Sequence, residues 1–499
     1  MALSEVSVSL LRQSAGQAVP SLARNNAALT LFLADGGDER IKPDPLTGRT
    51  KYGTPANPAP DEIWFSSSTA SAVDPRGFAA ASDALLALVG EGHFVHPLAW
   101  FDALRERIAG LFGIPGSEAV LAGSGTEAEF LALSIARARA KRPLTSIVVA
   151  PTETGSGVMR AATGRHFLAS ASLEGVVAAG TCLDGLECEE IAIETIAVRD
   201  PSGAPRPAYE IDKEAAGRTA QALAAGRDVL LHVVDTSKTG LGGVTRRMAQ
   251  SIAKGAGGRV QIVVDACQLR CAPQVLQSDL KAGFMVMITG SKFAAGPPFA
   301  GAILLPPGLA EDLGGRGPAP AGLKSYSALL DWPQALRQNF ARTLDVPFNL
   351  GLGLRWEAAL ATIEAFFALP DNGRAHICAW FAAEVQRLVA ARPHLRLAQT
   401  RPGATVFPVV TRGAETPAAA HALYKALAEE TGVPAELSRR CHVGQPVAVG
   451  SEAALRICAS MPLVLDIADH MAEGRAIESA PAAGDLDFLF RKWDVLAGC

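Results

Sequence analysis

Five short runs of apolar and β-branched residues, at 119–122 (AVLA), 146–150 (SIVVA), 229–234 (VLLHVV), 260–264 (VQIVV) and 284–289 (FMVMIT), are separated by Ala-rich stretches with helical spacing. Runs that are apolar on both faces belong in a sheet covered on both sides, and their alternation with helices predicts a mostly parallel sheet. Ahead of them Phe101, Leu104, Ile108, Leu111 and Phe112 recur at three and four residues, which predicts an amphipathic helix over 97–113 ended at Gly113. Residues 36–62 are rich in Gly, Pro and charge and read as an extended surface segment. A long apolar helix is expected from near Gly351, and 395–499 mixes a strand at 404–410 (ATVFPVV) with helices, ending in a short packing helix. The expected division is an N-terminal extended segment (1–75), a large sheet domain (76–350), and a linking helix with a smaller α+β C-terminal domain (351–499).

With 499 residues the chain exceeds the roughly 250–300 that one core usually serves, and 49% apolar positions supply material for two. A net charge of −4 gives no broad attraction to nucleic acid or to an anionic membrane, so neither is expected as a partner. The eight cysteines are scattered without zinc-site spacing or the density of a disulfide scaffold, which fits a reducing, cytoplasmic setting. No run approaches the 18 apolar residues of a membrane span, and the N-terminus lacks the pattern of a secretory signal. Its first residues read as an ordinary amphipathic helix, with a transit peptide as the weaker alternative.

Ligands of a parallel sheet gather beyond the carboxyl ends of its strands, where loops meet helix N-termini. After AVLA comes Gly123-Ser124-Gly125-Thr126-Glu127-Ala128 and then an apolar helix. Free amides, a hydroxyl and the positive end of a helix dipole converge there, as a phosphate requires. The other reading is a plain strand-to-helix turn with Thr126 as N-cap. After VQIVV comes Asp265-Ala266-Cys267-Gln268. An acid at the end of an apolar strand needs a strong partner, either a buried cation such as a protonated pyridine nitrogen or the start of the next helix. FMVMIT ends in Thr289-Gly290-Ser291-Lys292 before a Gly-Pro-rich apolar loop. Poor hydration there lowers the pKa of Lys292 and leaves an amine able to form an imine, with Thr289 and Ser291 adding hydroxyls to the phosphate site. A lysine that merely snorkels from a loop is the alternative.

Phosphate loop, strand-end acid and, 27 positions after it, strand-end lysine follow in a specific order. The chain resembles the class V aminotransferase family of fold-type I pyridoxal-phosphate (PLP) enzymes, which holds cysteine desulfurases, kynureninases and several transaminases. Gly125-Thr126-Glu127, Asp265 with Gln268, and Thr289 with Lys292 carry the likeness, which spans residues 75–475. It implies an α/β fold-type I chain whose large domain (76–350) binds PLP through a mostly parallel sheet between helices. By that similarity Asp265 holds the pyridine nitrogen, Gln268 the phenolic oxygen and Lys292 the aldehyde carbon. Gly125, Thr126, Glu127, Thr289 and Ser291 complete the implied cofactor site. Arg342-Thr343-Leu344-Asp345-Val346-Pro347 resembles a family turn whose Thr reaches the phosphate of the neighbouring subunit, so Thr343 is implied as a cofactor residue and the chain as a homodimer. Arg342 stands where the family has Gly. Leu455-Arg456-Ile457-Cys458 resembles the strand whose arginine grips the substrate α-carboxylate, a task suited to a two-toothed guanidinium.

Departures from the family bear on the reaction. Where its desulfurases stack a His on the cofactor ring, this chain has Thr152-Glu153-Thr154-Gly155-Ser156, so Thr154 is expected in that place. Their persulfide-forming Cys aligns with Val443 in Arg439-Arg440-Cys441-His442-Val443-Gly444-Gln445-Pro446. Cys441, displaced by two, reads as an ordinary loop cysteine, the alternative being a thiol whose pKa the basic neighbours lower. His442 is expected to face substrate together with Arg456. Ser66-Ser67-Ser68-Thr69 is expected near the active-site entrance, while His93 and His96 read as a capped, partly buried pair, and no metal site is expected. The resulting expectation is a PLP enzyme acting on a small-molecule amino acid by loss of its Cα proton. An aminotransferase leads, a Cβ–S or Cβ–C lyase follows, and a non-catalytic PLP-binding module is third.

Overall fold

The computed structural model describes residues 22–89 and 96–499, so the expected first helix and His93 lie outside the described residues. Helix α1 (Leu22–Leu33), strand β1 (Ile63–Phe65) and helices α2 (Pro75–Val89) and α3 (Pro97–Phe112) come first. His96 is the N-cap of α3, accepting from the Leu98 amide at 3.2 Å, and Pro97 takes the first helical position, where a missing N–H costs nothing. The chain then alternates: β2 (Glu118–Ala122), α4 (Gly125–Arg139), β3 (Leu144–Val149), β4 (Ile191–Ile196), α5 (Ala208–Ala224), β5 (Asp228–Val234), α6 (Arg246–Gly255), β6 (Val260–Ala266), α7 (Pro273–Lys281), β7 (Met285–Thr289) and β8 (Gly301–Leu305).

These seven strands make one sheet in the order β2-β8-β7-β6-β5-β3-β4. Neighbours are parallel except around β8, which runs antiparallel between β2 and β7. Register sets Asp265 beside Val234 on one side and Met287 on the other, so the carboxyl ends of β5, β6 and β7 open at one level. Alternate residues serve the two faces. Val120, Leu230, Val263 and Met285 pack under Phe130 and Leu133 of α4, whereas Leu121, Leu231, Ile262 and Val286 belong to the core on the other face. The edge strand β4 and the reversed strand β8 were not among the runs singled out in the sequence.

Helix α8 (Leu350–Ala368), buried on nearly every side, leads out of the sheet. It is followed by α9 (Asp371–Ala390), β9 (Leu395–Leu397), β10 (Val406–Thr411), α10 (Pro417–Leu427), β11 (Cys441–Val449), β12 (Glu452–Cys458), α11 (Met461–Ala472) and α12 (Pro481–Leu496). The second sheet has the order β1-β11-β12-β10-β9. Its edge strand β1 comes from the N-terminal stretch and pairs parallel to β11, so residues 22–75 are more than an extended segment.

Residues 36–62 also depart from the expected surface course. The buried guanidinium of Arg355 donates to the carbonyls of Leu33 (3.0 Å), Asp35 (2.6 Å), Gly36 (3.2 Å) and Phe299 (2.8 Å), clamping this stretch to the loop after β7. Asp38 and Thr54 are buried as a result. The cysteines bring a further correction: Cys182 and Cys188 form a disulfide that scattered spacing did not suggest, because the intervening turn alone brings them together.

Candidate active site

A cavity of about 170 Å³ opens at the carboxyl ends of β3, β5, β6 and β7, against the N-terminus of α4. Lys292 enters it three residues after β7, and Asp265 enters from β6. One Asp265 oxygen accepts from the Cys267 amide at 3.0 Å. Burial raises the Asp265 pKa and lowers that of Lys292, because each charged form loses hydration. The surrounding loops hold strain. Of the five non-glycine residues with positive φ among the described residues, Ala150, Leu269, Ala295 and Phe299 lie in loops that follow these strands. Such backbone persists where the surroundings enforce it, and it clusters at functional sites.

At the start of α4 the cap is Ser124, whose hydroxyl accepts from the Glu127 amide at 3.2 Å, and not Thr126. The amides of Gly125 and Thr126 precede the first intrahelical bond and have no helical acceptor. A Cβ on residue 125 would stand 2.7 Å from the Cys267 sulfur, so glycine is required for this close approach. Ser124, Gly125, Thr126, Thr154 and Ser291 all line this cavity, as does Thr289, whose hydroxyl donates to the Cys267 carbonyl at 2.7 Å. Glu127 does not. Its carboxyl accepts from Ser172 at 2.5 Å, and burial pushes its pKa up to about 8. Two residues on, about 200° around the helix, Glu129 lines the cavity in its stead.

Gln268 lines the cavity and donates to the Ser68 carbonyl at 3.3 Å. Arg456 projects from β12 into the same space, bonded to the Gln445 carbonyl (2.9 Å), the Ser68 carbonyl (3.4 Å) and the Thr69 hydroxyl (2.7 Å). All three acceptors are neutral, and burial lowers its pKa. Gly444, opposite Arg456 in the sheet, keeps the space open: a Cβ there would lie 2.7 Å from Ser68 Oγ and 2.9 Å from Arg456 Cβ. The second sheet is tied to the first by half-buried Arg270, which bonds Ser67 Oγ (2.8 Å) and Thr405 Oγ1 (2.8 Å).

Of three expectations near the C-terminal half, the one for His442 is corrected. His442 does not line the cavity: it lies two residues before Gly444 along β11, beside its β1 pairing partner Trp64, on which it stacks with ring centroids 3.8 Å apart, and it meets Glu62 at 2.7 Å. Cys441 is buried in the core, which pushes its thiol up to about 12, so the basic neighbours do not activate it. Thr343 donates to the Ala319 carbonyl at 3.2 Å and does not line the cavity of its own chain.

Other lining residues were not singled out in the sequence. Arg40 and Tyr52 arrive from the 36–62 stretch, with the Arg40 guanidinium gripped by Asp38 at 2.6 Å and set 4.7 Å from the Phe299 ring centre. Lys238 comes from the loop after β5. The same strand-end rule that found Asp265 and Lys292 points to the polar cluster Asp235-Thr236-Ser237-Lys238-Thr239 after VLLHVV.

The residues present fit PLP. Unpartnered amides and hydroxyls at the α4 N-terminus suit a phosphate, the half-free Asp265 carboxylate suits a protonated ring nitrogen, and desolvated Lys292 suits an aldehyde. No protein-family model matches the sequence, and no curated protein matches it. Solved structures do share the fold. The cysteine desulfurase CsdA (S-sulfonic acid) from Escherichia coli is 15% identical with a TM-score of 0.54, covering 88% of this chain and 95% of its own. A NifS-like protein is 14% identical with a TM-score of 0.52, covering 88% and 100%. Mouse CSAD in apo form is 15% identical with a TM-score of 0.51, covering 88% and 84%. The chain therefore has the α/β fold-type I architecture, with a large sheet domain and a smaller C-terminal one, as the motifs implied.

Proposed function

We propose that this chain is a PLP-dependent enzyme acting on an amino acid, with Lys292 bonded to the cofactor aldehyde and Asp265 facing the ring nitrogen. One observation carries the reading: a half-buried, desolvated amine and a half-buried carboxylate from adjacent strand ends face a single cavity that also takes the N-terminus of α4. When bound, PLP supplies an aldehyde and an electron-withdrawing ring that weakens the bonds at the Cα of an amino acid. Asp265, whose burial disfavours its lone charge, is ionised most readily by a cation beside it, and a protonated ring nitrogen is such a cation. Lys292, with its pKa lowered by burial, is matched to accept and return a proton at Cα near neutral pH. Arg456 holds the α-carboxylate, which favours loss of the Cα proton over loss of the carboxylate.

On this reading residues 76–350 form the cofactor domain, residues 351–499 supply Arg456, and a second copy of the chain brings Thr343 to the phosphate in a homodimer. Aminotransfer is the reaction we favour, because Cys441 is buried and Val443 stands where a sulfur-accepting cysteine would be needed. The test is a half-reaction. Amino donors added to the cofactor-loaded protein without an acceptor should leave a pyridoxamine form absorbing near ~330 nm. Retention of the aldehyde form with release of pyruvate or alanine would replace aminotransfer by a lyase reaction.

A further inference from the structure

Charge is unevenly matched around this cavity. Its acids are engaged: Glu153 by Arg199 at 2.7 Å and by the hydroxyls of Ser237 and Thr239, and Glu129 by His232. Asp265 is the third, committed to the ring nitrogen on the reading above. Among the cations, Arg40 is neutralised by Asp38 and Lys292 is committed to the aldehyde. Arg456 and Lys238 remain. Arg456 has only neutral acceptors, and among the described residues the Lys238 ammonium makes no ion pair.

Lys238 is also firmly placed. Its amide donates to the Glu153 carbonyl at 2.9 Å, and the Ser237 hydroxyl that follows β5 bonds the Glu153 carboxylate at 2.5 Å. Lys238, Arg456 and Lys292 line one cavity, and burial, then the positive charges of the other two, hold the Lys238 pKa down at about 7. Arg456 and a Lys238 amine that sheds its proton near neutral pH when the cavity is empty suit a ligand with two anionic groups, which holds both of them charged.

An amino acid with an uncharged side chain brings one such group, the α-carboxylate, which Arg456 takes. We propose that Lys238 is a specificity-determining residue that binds a second anionic group at the end of the substrate side chain, so that the substrate class is the acidic amino acids. This rests on the PLP reading, which fixes where the substrate amino group sits.

The test compares L-aspartate and L-glutamate with their uncharged counterparts L-asparagine and L-glutamine. Dissociation constants are read from the change in cofactor absorbance of the loaded wild-type protein and of Lys238→Met. A charge-assisted hydrogen bond predicts that wild type binds at least one acid about tenfold or more tighter than its amide, and that the ratio falls to about one in Lys238→Met. Equal affinity for acids and amides in wild type, no response to either acid, or an equal loss for acids and amides in the variant would overturn the proposal. The last result would assign Lys238 to the α-carboxylate or to the cofactor. A protein that shows no cofactor absorbance before any amino acid is added would instead sink the PLP reading itself, so the two failures are told apart.

Discussion

The imidazole of His232 donates through Nδ1 to the Ile147 carbonyl at 2.9 Å and through Nε2 to the carboxylate of Glu129, behind the wall that carries Asp265. Only the imidazolium has two N–H donors. Burial works against that charge, yet Glu129 and Ile147 outweigh it and raise the His232 pKa above 6.5. A group raised in the fold contributes stability that is complete below its ordinary value and is lost as pH rises through the folded value. Glu129→Gln should therefore lower unfolding free energy at pH 6 by about 3–5 kcal/mol, as for other buried pairs broken on one side. It should also flatten the decline in stability above pH 6.5. Urea unfolding of wild type and variant across pH 6–9 checks both.

Arg456 illustrates the opposite balance. A buried guanidinium bonded only to neutral oxygens is costly when no carboxylate is bound, so Arg456→Met should raise the stability of the substrate-free protein by about 1 kcal/mol. The same change should raise KM for any amino acid by roughly 10–100-fold, the worth of a charge-assisted contact. Thermal melts and steady-state kinetics on one preparation measure the trade. A variant that loses stability and keeps KM would show that Arg456 is a strut and not a substrate ligand.

What could be read from the sequence was local. Each buried strand with the residue just past its end is a contiguous word, so Asp265, Lys292 and the Gly125-Thr126 turn were found on the wall of one cavity. Arg40 and Tyr52 were missed because their position depends on Arg355, more than 300 residues later, gripping the carbonyls of Leu33 to Gly36. Glu127 was chosen over Glu129 because the motif names the former, whereas helix rotation selects the latter. His442 was misplaced because its neighbourhood reads as a loop, and the pairing of β11 with β1, some 380 residues earlier in the chain, is what brings Trp64 and Glu62 against its ring.

The paired lysines give a pH signature in the cofactor-free protein. Lys238 has a folded value of about 7 against an ordinary 10.5, and Lys292 is also lowered. Between those limits the unfolded chain binds more protons, so this contribution to stability falls away toward pH 7 and is full above 10.5. Lys238→Met should flatten the rise seen in thermal melts from pH 7 to 10. An unchanged slope would show that the Lys238 ammonium is hydrated.

Asp265→Asn removes the charge opposite the ring nitrogen while keeping the Cys267 amide contact. The variant should still take up PLP through the α4 N-terminus, with kcat lowered by roughly 10²-fold or more, the usual loss when an electrostatic partner of the reacting system is deleted. Normal turnover by Asp265→Asn would remove the carboxylate from the chemistry.

The covalent role of Lys292 admits the shortest test. PLP is added to the purified protein, the mixture is reduced with borohydride, and the peptide bearing the added pyridoxyl mass is located by mass spectrometry. Stoichiometric label on the peptide containing Lys292, with label and yellow absorbance both absent from Lys292→Ala, is the result this account requires. Label elsewhere, or an undiminished yellow Lys292→Ala protein, would contradict it.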